Sequence, residues 1–419
     1  MAAAAVVAAC AAEPVIERDD VARVLGALSA DSMMGRRAFT PDADRAAALL
    51  AREFGAIGLD LVTGTDGYLQ RFTVYSVVPE RLRVVLNGRF MPEEQLAASL
   101  STRIIGWETG DSVHLKVIGP ADDPREALGA IRRTGGNTLV LMHPAHRATF
   151  ERLRGSRPRT FELNRGPNTV YVLTDAAAAR TFRVDARAEV EEQALANVVG
   201  MIPGRRSDEF VVFSAHYDHI GVQPPVDGDS IANGANDDAS GVTAVVELAR
   251  YFRAAGRPER TLLFVAFTAE EAGGYGSRFF SQQLDPGQIV TMFNIEMIGK
   301  VGSAGPNTAW ITGFERSSFG AILQEAVAGT EYAFGPDPYP TQNLFYRSDN
   351  ATLARLGVPA HSISTTPIDV DPDYHQVSDG IATLDLDHVT STIRAIARAA
   401  ATIVSGQATP TRVDPATVN

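Results

Sequence analysis

The chain is predicted to be an α/β protein: a mostly parallel, mixed central sheet with helices on both faces, plus an inserted smaller α/β domain. Three observations predict this. From Asn197 onward, short continuous apolar runs alternate with longer amphipathic ones. The short runs lack the polar–apolar alternation of a half-exposed strand, which marks strands buried on both faces and so a largely parallel sheet. Between about 90 and 193 the texture changes, to a βαβ-like stretch without the paired acids and histidines found later.

Taken in order, Met1–Cys10 is a run of small apolar residues too short to span a bilayer. Val7-Ala8-Ala9-Cys10 resembles a bacterial lipobox, although no basic stretch precedes it. The lipobox reading expects an exported protein, in the bacterial periplasm or membrane-anchored as a lipoprotein through a lipid on Cys10; the competing reading is an Ala-rich tail. Val21, Val24, Leu25 and Leu28 recur at helical spacing, and Pro41-Asp-Ala-Asp opens a second helix carrying Leu50, Phe54 and Ile57. Residues 68–89 read as strands. In the middle stretch Glu126–Arg133 is helical, Thr138–Met142 a strand, the segment through Phe150 and Leu153 a helix, and Thr169–Leu173 a strand. His143 and His146 flank Pro144 past a strand end and are read as loop residues.

The later strands are Asn197–Ile202, Glu209–Ala215, Thr261–Phe267, Ile289–Ile295, Thr308–Thr312 and Val358–Ile363. Helices fall at Val242–Ala255, Gly276–Leu284, Ser317–Ala328, Asn350–Leu356 and Leu386–Val404, the last with Asp385 as its cap. The expected organisation is a leader-like segment at 1–18, a main domain at 19–89 and 194–405, an insertion at 90–193 and a polar tail at 406–419.

Composition narrows the function. With 45% apolar and 21% charged residues the chain folds rather than staying disordered. A formal net charge of −12 without a basic run excludes nucleic acid as the main partner. A single cysteine excludes an intrachain disulfide framework.

The chemistry gathers at predicted strand ends, where open α/β sheets place it. His216 ends one apolar run, and Asp218 stands two residues on, able to orient the imidazole by accepting its second N–H. Asp237 and Asp238 are adjacent in the loop Gly234–Gly241; one can cap the helix that follows while Asp237 bridges two cations. Glu270 and Glu271 follow Leu262–Phe267. Like charges side by side are costly without a cation or a proton, and their side chains diverge, so one can bind metal while the other serves as a general base. Glu296 closes an apolar run, where a carboxylate requires a partner. His375 lies in the polar loop Asp371–Gln376. Imidazoles and carboxylates together suit Zn²⁺, and two ions about 3.5–4 Å apart can share an activated water.

In this order the residues resemble peptidase family M28, the zinc aminopeptidases. The resemblance covers His216-x-Asp218, Gly234–Gly241, Glu270-Glu271, Asn294–Met297, Ser348-Asp349 and His375, with an opening segment at Leu28–Arg36. It implies a zinc-exopeptidase fold and hydrolysis of N-terminal residues from peptide substrates. It implies two Zn²⁺ per chain: one held by His216 and Glu296, the other by Glu271 and His375, with Asp237 bridging. Glu270 would be the general base, and Asp218 would orient His216. The insertion occupies the place of a protease-associated domain. Two positions depart from the family: Glu296 stands where Asp is usual, one methylene longer, and Asn350 stands where many relatives carry His. Arg347, beside Ser348, reads equally as a contact for a peptide carboxylate or as a surface residue. Two other functions fit the same resemblance: a single-zinc glutaminyl cyclase, or a binding protein without activity. The largely intact donor set weighs against both.

Overall fold

The computed structural model describes residues 14–418 and divides into two compact units. One joins the segment up to Phe72 with everything from Leu195; the other is Thr73–Ala194. The first division comes before position 89 because the strand Leu69–Leu86 leaves one unit and enters the other unbroken. Cys10 and its surroundings lie outside the described residues.

In the larger unit the strand order is Ala333–Pro336, Thr308–Ile311, Ala360–Ser364, Ile289–Ile295, Arg206–His216, Arg260–Phe267, and then residues 198–202. Arg206–His216 runs parallel to both neighbours, and Ile289–Ile295 runs parallel to Ala360–Ser364. Thr308–Ile311 and residues 198–202 pair antiparallel, so the sheet is mixed, as the sequence predicts.

Both faces are covered. Val211, Phe213 and Ala215 face a core built with the helices Arg18–Leu28, Pro41–Ile57, Gly241–Ala255, Phe319–Ala326 and Leu386–Val404. Val212 faces the opposite core, with Phe280, Leu353 and Ala354. Successive strand residues therefore enter different cores, which accounts for the continuous apolar runs. Phe213 stacks between Phe264 and Phe293 from the flanking strands, with ring centroids 5.4 and 4.9 Å away. Asp385 caps its helix by accepting from the amides of Asp387 and His388, both at 3.0 Å.

The two ends of the described chain differ from expectation. Ile16, assigned to the leader-like segment, is buried in the main core, and its carbonyl accepts from Arg394 at 2.6 Å. Residues 406–418 are no free polar tail. Val413 and Val418 are buried in the second core, and Arg412 donates to the carbonyl of Ile289 at 2.8 Å. Two isolated valines among polar residues are too sparse a pattern to reveal this docking in the sequence.

The smaller unit holds a four-stranded sheet in the order Leu96–Ser99, Thr169–Leu173, Thr138–Met142, His114–Ile118, packed with the helices Pro124–Thr134 and Arg147–Gly155. His143 accepts from the amide of Ala145, and His146 Nε2 bonds to the carbonyl of Gly119, so both stay local loop residues.

Candidate metal centre

The register of the sheet assembles the site. His216 pairs with Phe267, Ser214 with Asn294, and Ile295 with Ile363. His216, the turn after Phe267 and Glu296 therefore emerge side by side at the same end of parallel strands.

The His216 imidazole is buried. Its Nδ1–H donates to the main-chain carbonyl of Asp218 at 3.1 Å, which turns Nε2 toward the acids of the site. Nε2 lies 3.1 Å from Glu296 Oε1 and 3.2 Å from Asp237 Oδ1. The Asp218 carboxylate does not provide the orienting bond expected of it. It lies 3.9 Å from Nδ1 and instead accepts the amide of Glu270 at 3.0 Å, while its other oxygen has no hydrogen-bond partner among the described residues. Burial pushes its pKa up to about 7.

Asp237 is the hinge of the arrangement. Oδ1 faces His216, and Oδ2 lies 3.2 Å from His375 Nε2. Its loop is fixed from behind: Asp379 accepts the amides of Asn236 and Asp237 at 2.9 and 3.1 Å. Arg36, fully buried, donates to the carbonyls of Leu28, Tyr217, Asn233 and Gly234. Asp238 braces the start of the following helix, whose cap position is Ser240. The Asp238 carboxylate lies near His216 and Glu296, but accepts from the amides of Gly241, Met297 and His216. The close approach requires glycine at 241, where a Cβ would sit 2.2 Å from the carbonyl oxygen of Ile295.

Glu270 and Glu271 separate as adjacent side chains should. Glu271 Oε1 lies 3.1 Å from His375 Nε2 and 3.1 Å from Nδ1 of His219. Glu270 lines the same pocket as Asp237, Glu271, Glu296 and His375. Burial, reinforced by Glu296, Asp349 and Glu271, holds the Glu270 carboxyl well above the usual carboxylate range. Burial opposes protonation of His375, yet its hydrogen bonds to Asp237 and Glu271 carry it up to about 10. Glu296 is placed by its second oxygen, which accepts the hydroxyl of Ser348; Asn294 Nδ2 donates to that hydroxyl at 2.7 Å. Asn350 is buried away from the pocket and accepts from Ser362 at 3.0 Å. Arg347 lines the pocket and donates to the hydroxyl of Tyr374, whose ring stacks on His375 with centroids 4.0 Å apart.

All seven residues singled out in the sequence thus meet at one place. His219 and Asp379 join them without being marked by any of the sequence motifs. His219 had a signal: a second imidazole three residues after His216. Asp379 had none, because its partners are main-chain amides.

The donor set fits cations. Among the described residues, Asp237, Glu271 and Glu296 make ion pairs with histidines and with no lysine or arginine. Carboxylates so concentrated and buried require a cation or protons. Two clusters satisfy metal-ligand spacing: His216 with Asp238 and Glu296, and His219 with Asp237 and Glu271.

Known proteins share sequence or fold with this chain. The model of peptidase family M28 matches residues 197–400. Leucine aminopeptidase 1 of Trichophyton rubrum is 32% identical over 204 residues, 46% of this chain and 54% of that protein. A probable zinc metalloprotease of Pyricularia oryzae is 40% identical over 115 residues, covering 26% of this chain and 22% of its own. The chain thus spans about half the length of the curated leucine aminopeptidases it matches. Among solved structures, a zinc aminopeptidase from Bacillus subtilis superposes with a TM-score of 0.56 at 17% identity, covering 94% of this chain and 97% of that one. An aminopeptidase from Aneurinibacillus sp. strain AM-1 gives 0.54 at 16% identity, covering 96% of each. These two show a shared fold.

Proposed function

Residues 197–400 form a peptidase family M28 domain, and on that premise we propose that this protein is a zinc-dependent aminopeptidase with two metal positions. The observation that carries the reading is the split carboxylate of Asp237, with one oxygen toward His216 and Glu296 and the other toward His375 and Glu271. His216 and Glu296 would hold one Zn²⁺, Glu271 and His375 the other, and Asp237 would bridge them. Zinc bound there lowers the pKa of water toward roughly 7 and polarises a peptide carbonyl.

The chain's own residues do the rest. Glu270 takes the proton from the attacking water and delivers it to the leaving amine. Its raised pKa suits both halves of that task. Acidic side chains around the pocket attract the protonated N-terminus of a peptide. Met297, Trp310, Leu344 and Ile368 provide an apolar wall, which favours an apolar first residue over a charged one.

The test is digestion of a peptide library with and without a chelator, read by mass spectrometry. Loss of single N-terminal residues, abolished by chelation and restored by Zn²⁺, is expected. Glu270→Ala should lower turnover about 10²–10⁴-fold while both metals stay bound. Unchanged turnover in that variant would remove Glu270 from the role of base.

A further inference from the structure

We propose that His219 is a fourth protein donor at the second metal position, closing that position and leaving the His216 position open. The inference rests on the two-metal reading above and concerns a residue outside the donor set the family resemblance implies.

The distances support it. A tetrahedral zinc site with bonds of about 2.0–2.2 Å separates its donor atoms by about 3.3–3.6 Å. Here Glu271 Oε1 lies 3.1 Å from both His219 Nδ1 and His375 Nε2. Asp237 Oδ2 lies 3.2 Å from His375 Nε2 and 3.8 Å from His219 Nδ1. Glu271 Oε1 and Asp237 Oδ2 each lie between the two imidazoles, and His219 with Asp237 and Glu271 satisfies metal-ligand spacing. The His219 ring is fully buried and, among the described residues, its Nε2 has no hydrogen-bond partner, so Nδ1 makes the polar contacts. The ring is also held in place: a Cβ at residue 234, where φ is +57°, would lie 2.5 Å from His219 Cγ, so glycine there makes room for the imidazole.

The His216 side offers fewer donors. Glu296 Oε2 is engaged by Ser348, and the Asp238 oxygens are engaged by main-chain amides. That leaves His216 Nε2, Asp237 Oδ1 and Glu296 Oε1. Three protein donors with a free position are the pattern of catalytic zinc, and four that of structural zinc. The two positions are therefore unequal: the closed one binds tightly and anchors Asp237, while the open one keeps room for water and the substrate carbonyl.

The experiment loads the full chain with Co²⁺ and counts the paramagnetically shifted, exchangeable imidazole N–H signals. Three are expected, from His216, His219 and His375; two would overturn the proposal. Zinc titration supplies an independent readout. His219→Gln keeps an N–H to donate to Glu271 but has no imidazole. It should weaken the tighter zinc about 10–100-fold and leave the weaker one unchanged. Zinc affinities equal to wild type would reduce His219 to a hydrogen-bond donor and overturn the proposal. A wild-type chain that takes up no metal would instead overturn the two-metal reading itself.

Discussion

At the scale of single residues, the departure at Glu296 has a structural answer. The longer carboxylate reaches Ser348 with one oxygen and keeps the other beside His216 Nε2. Ser348→Ala should therefore weaken the His216-side zinc by about tenfold without changing the fold, measured by zinc titration with circular dichroism as control. His361 supports a pH prediction away from the metals. It is buried between Phe319 and Phe345, donates from Nδ1–H to the carbonyl of Thr312 and accepts the Ser317 hydroxyl at Nε2, and burial lowers its pKa to about 4. In the unfolded chain it titrates near 6.5. Between those values the unfolded state binds a proton that the folded state refuses, so stability is complete above about pH 6.5 and falls as the pH drops toward 4. The loss amounts to about 3 kcal/mol. Denaturant unfolding of metal-free protein should show that slope, and His361→Phe should flatten it. The role of Asp218 was not legible at this scale. A sequence shows that an acid follows His216 by two residues, but not whether its carboxylate or its carbonyl meets the ring.

At the scale of elements, strands and helices were legible because each of their residues has a defined environment. The apolar runs ending at His216, Phe267 and Ile295 are buried on both faces, so nothing in them alternates. The loop bearing His375 was not legible, since its order comes from ion pairs across the sequence. Lys300 donates to Asp371 at 2.5 Å and to Asp373 at 2.7 Å, and Ser378 donates to Asp373 at 2.6 Å. These contacts tie the loop to the segment that follows Glu296. Lys300→Met leaves two largely buried acids without their cation. Hydrogen exchange across 371–378 should accelerate about tenfold while the central strands keep their protection. Uniform acceleration through the sheet would show that Lys300 supports the whole domain instead.

At the scale of the whole molecule, the smaller unit was recognisable by what it lacks: none of the site donors comes from Thr73–Ala194. The ends of the chain were hidden, because Ile16, Val413 and Val418 are single apolar residues whose partners lie far away in sequence. The concentrated acids give a global prediction. A metal that binds only the folded state stabilises it by about 4 kcal/mol at a free concentration 1,000 times its Kd. Chelation should therefore lower the melting temperature by several degrees, and Zn²⁺ should restore it. The reach of the site along the chain has a further consequence for biosynthesis. Arg36 grips the loop before Asp237, yet the last donor is residue 375 of 419. A nascent chain exposes its cluster of acids on the ribosome long before the final imidazole emerges. The candidate site therefore stays incomplete until the segment carrying His375 has been made.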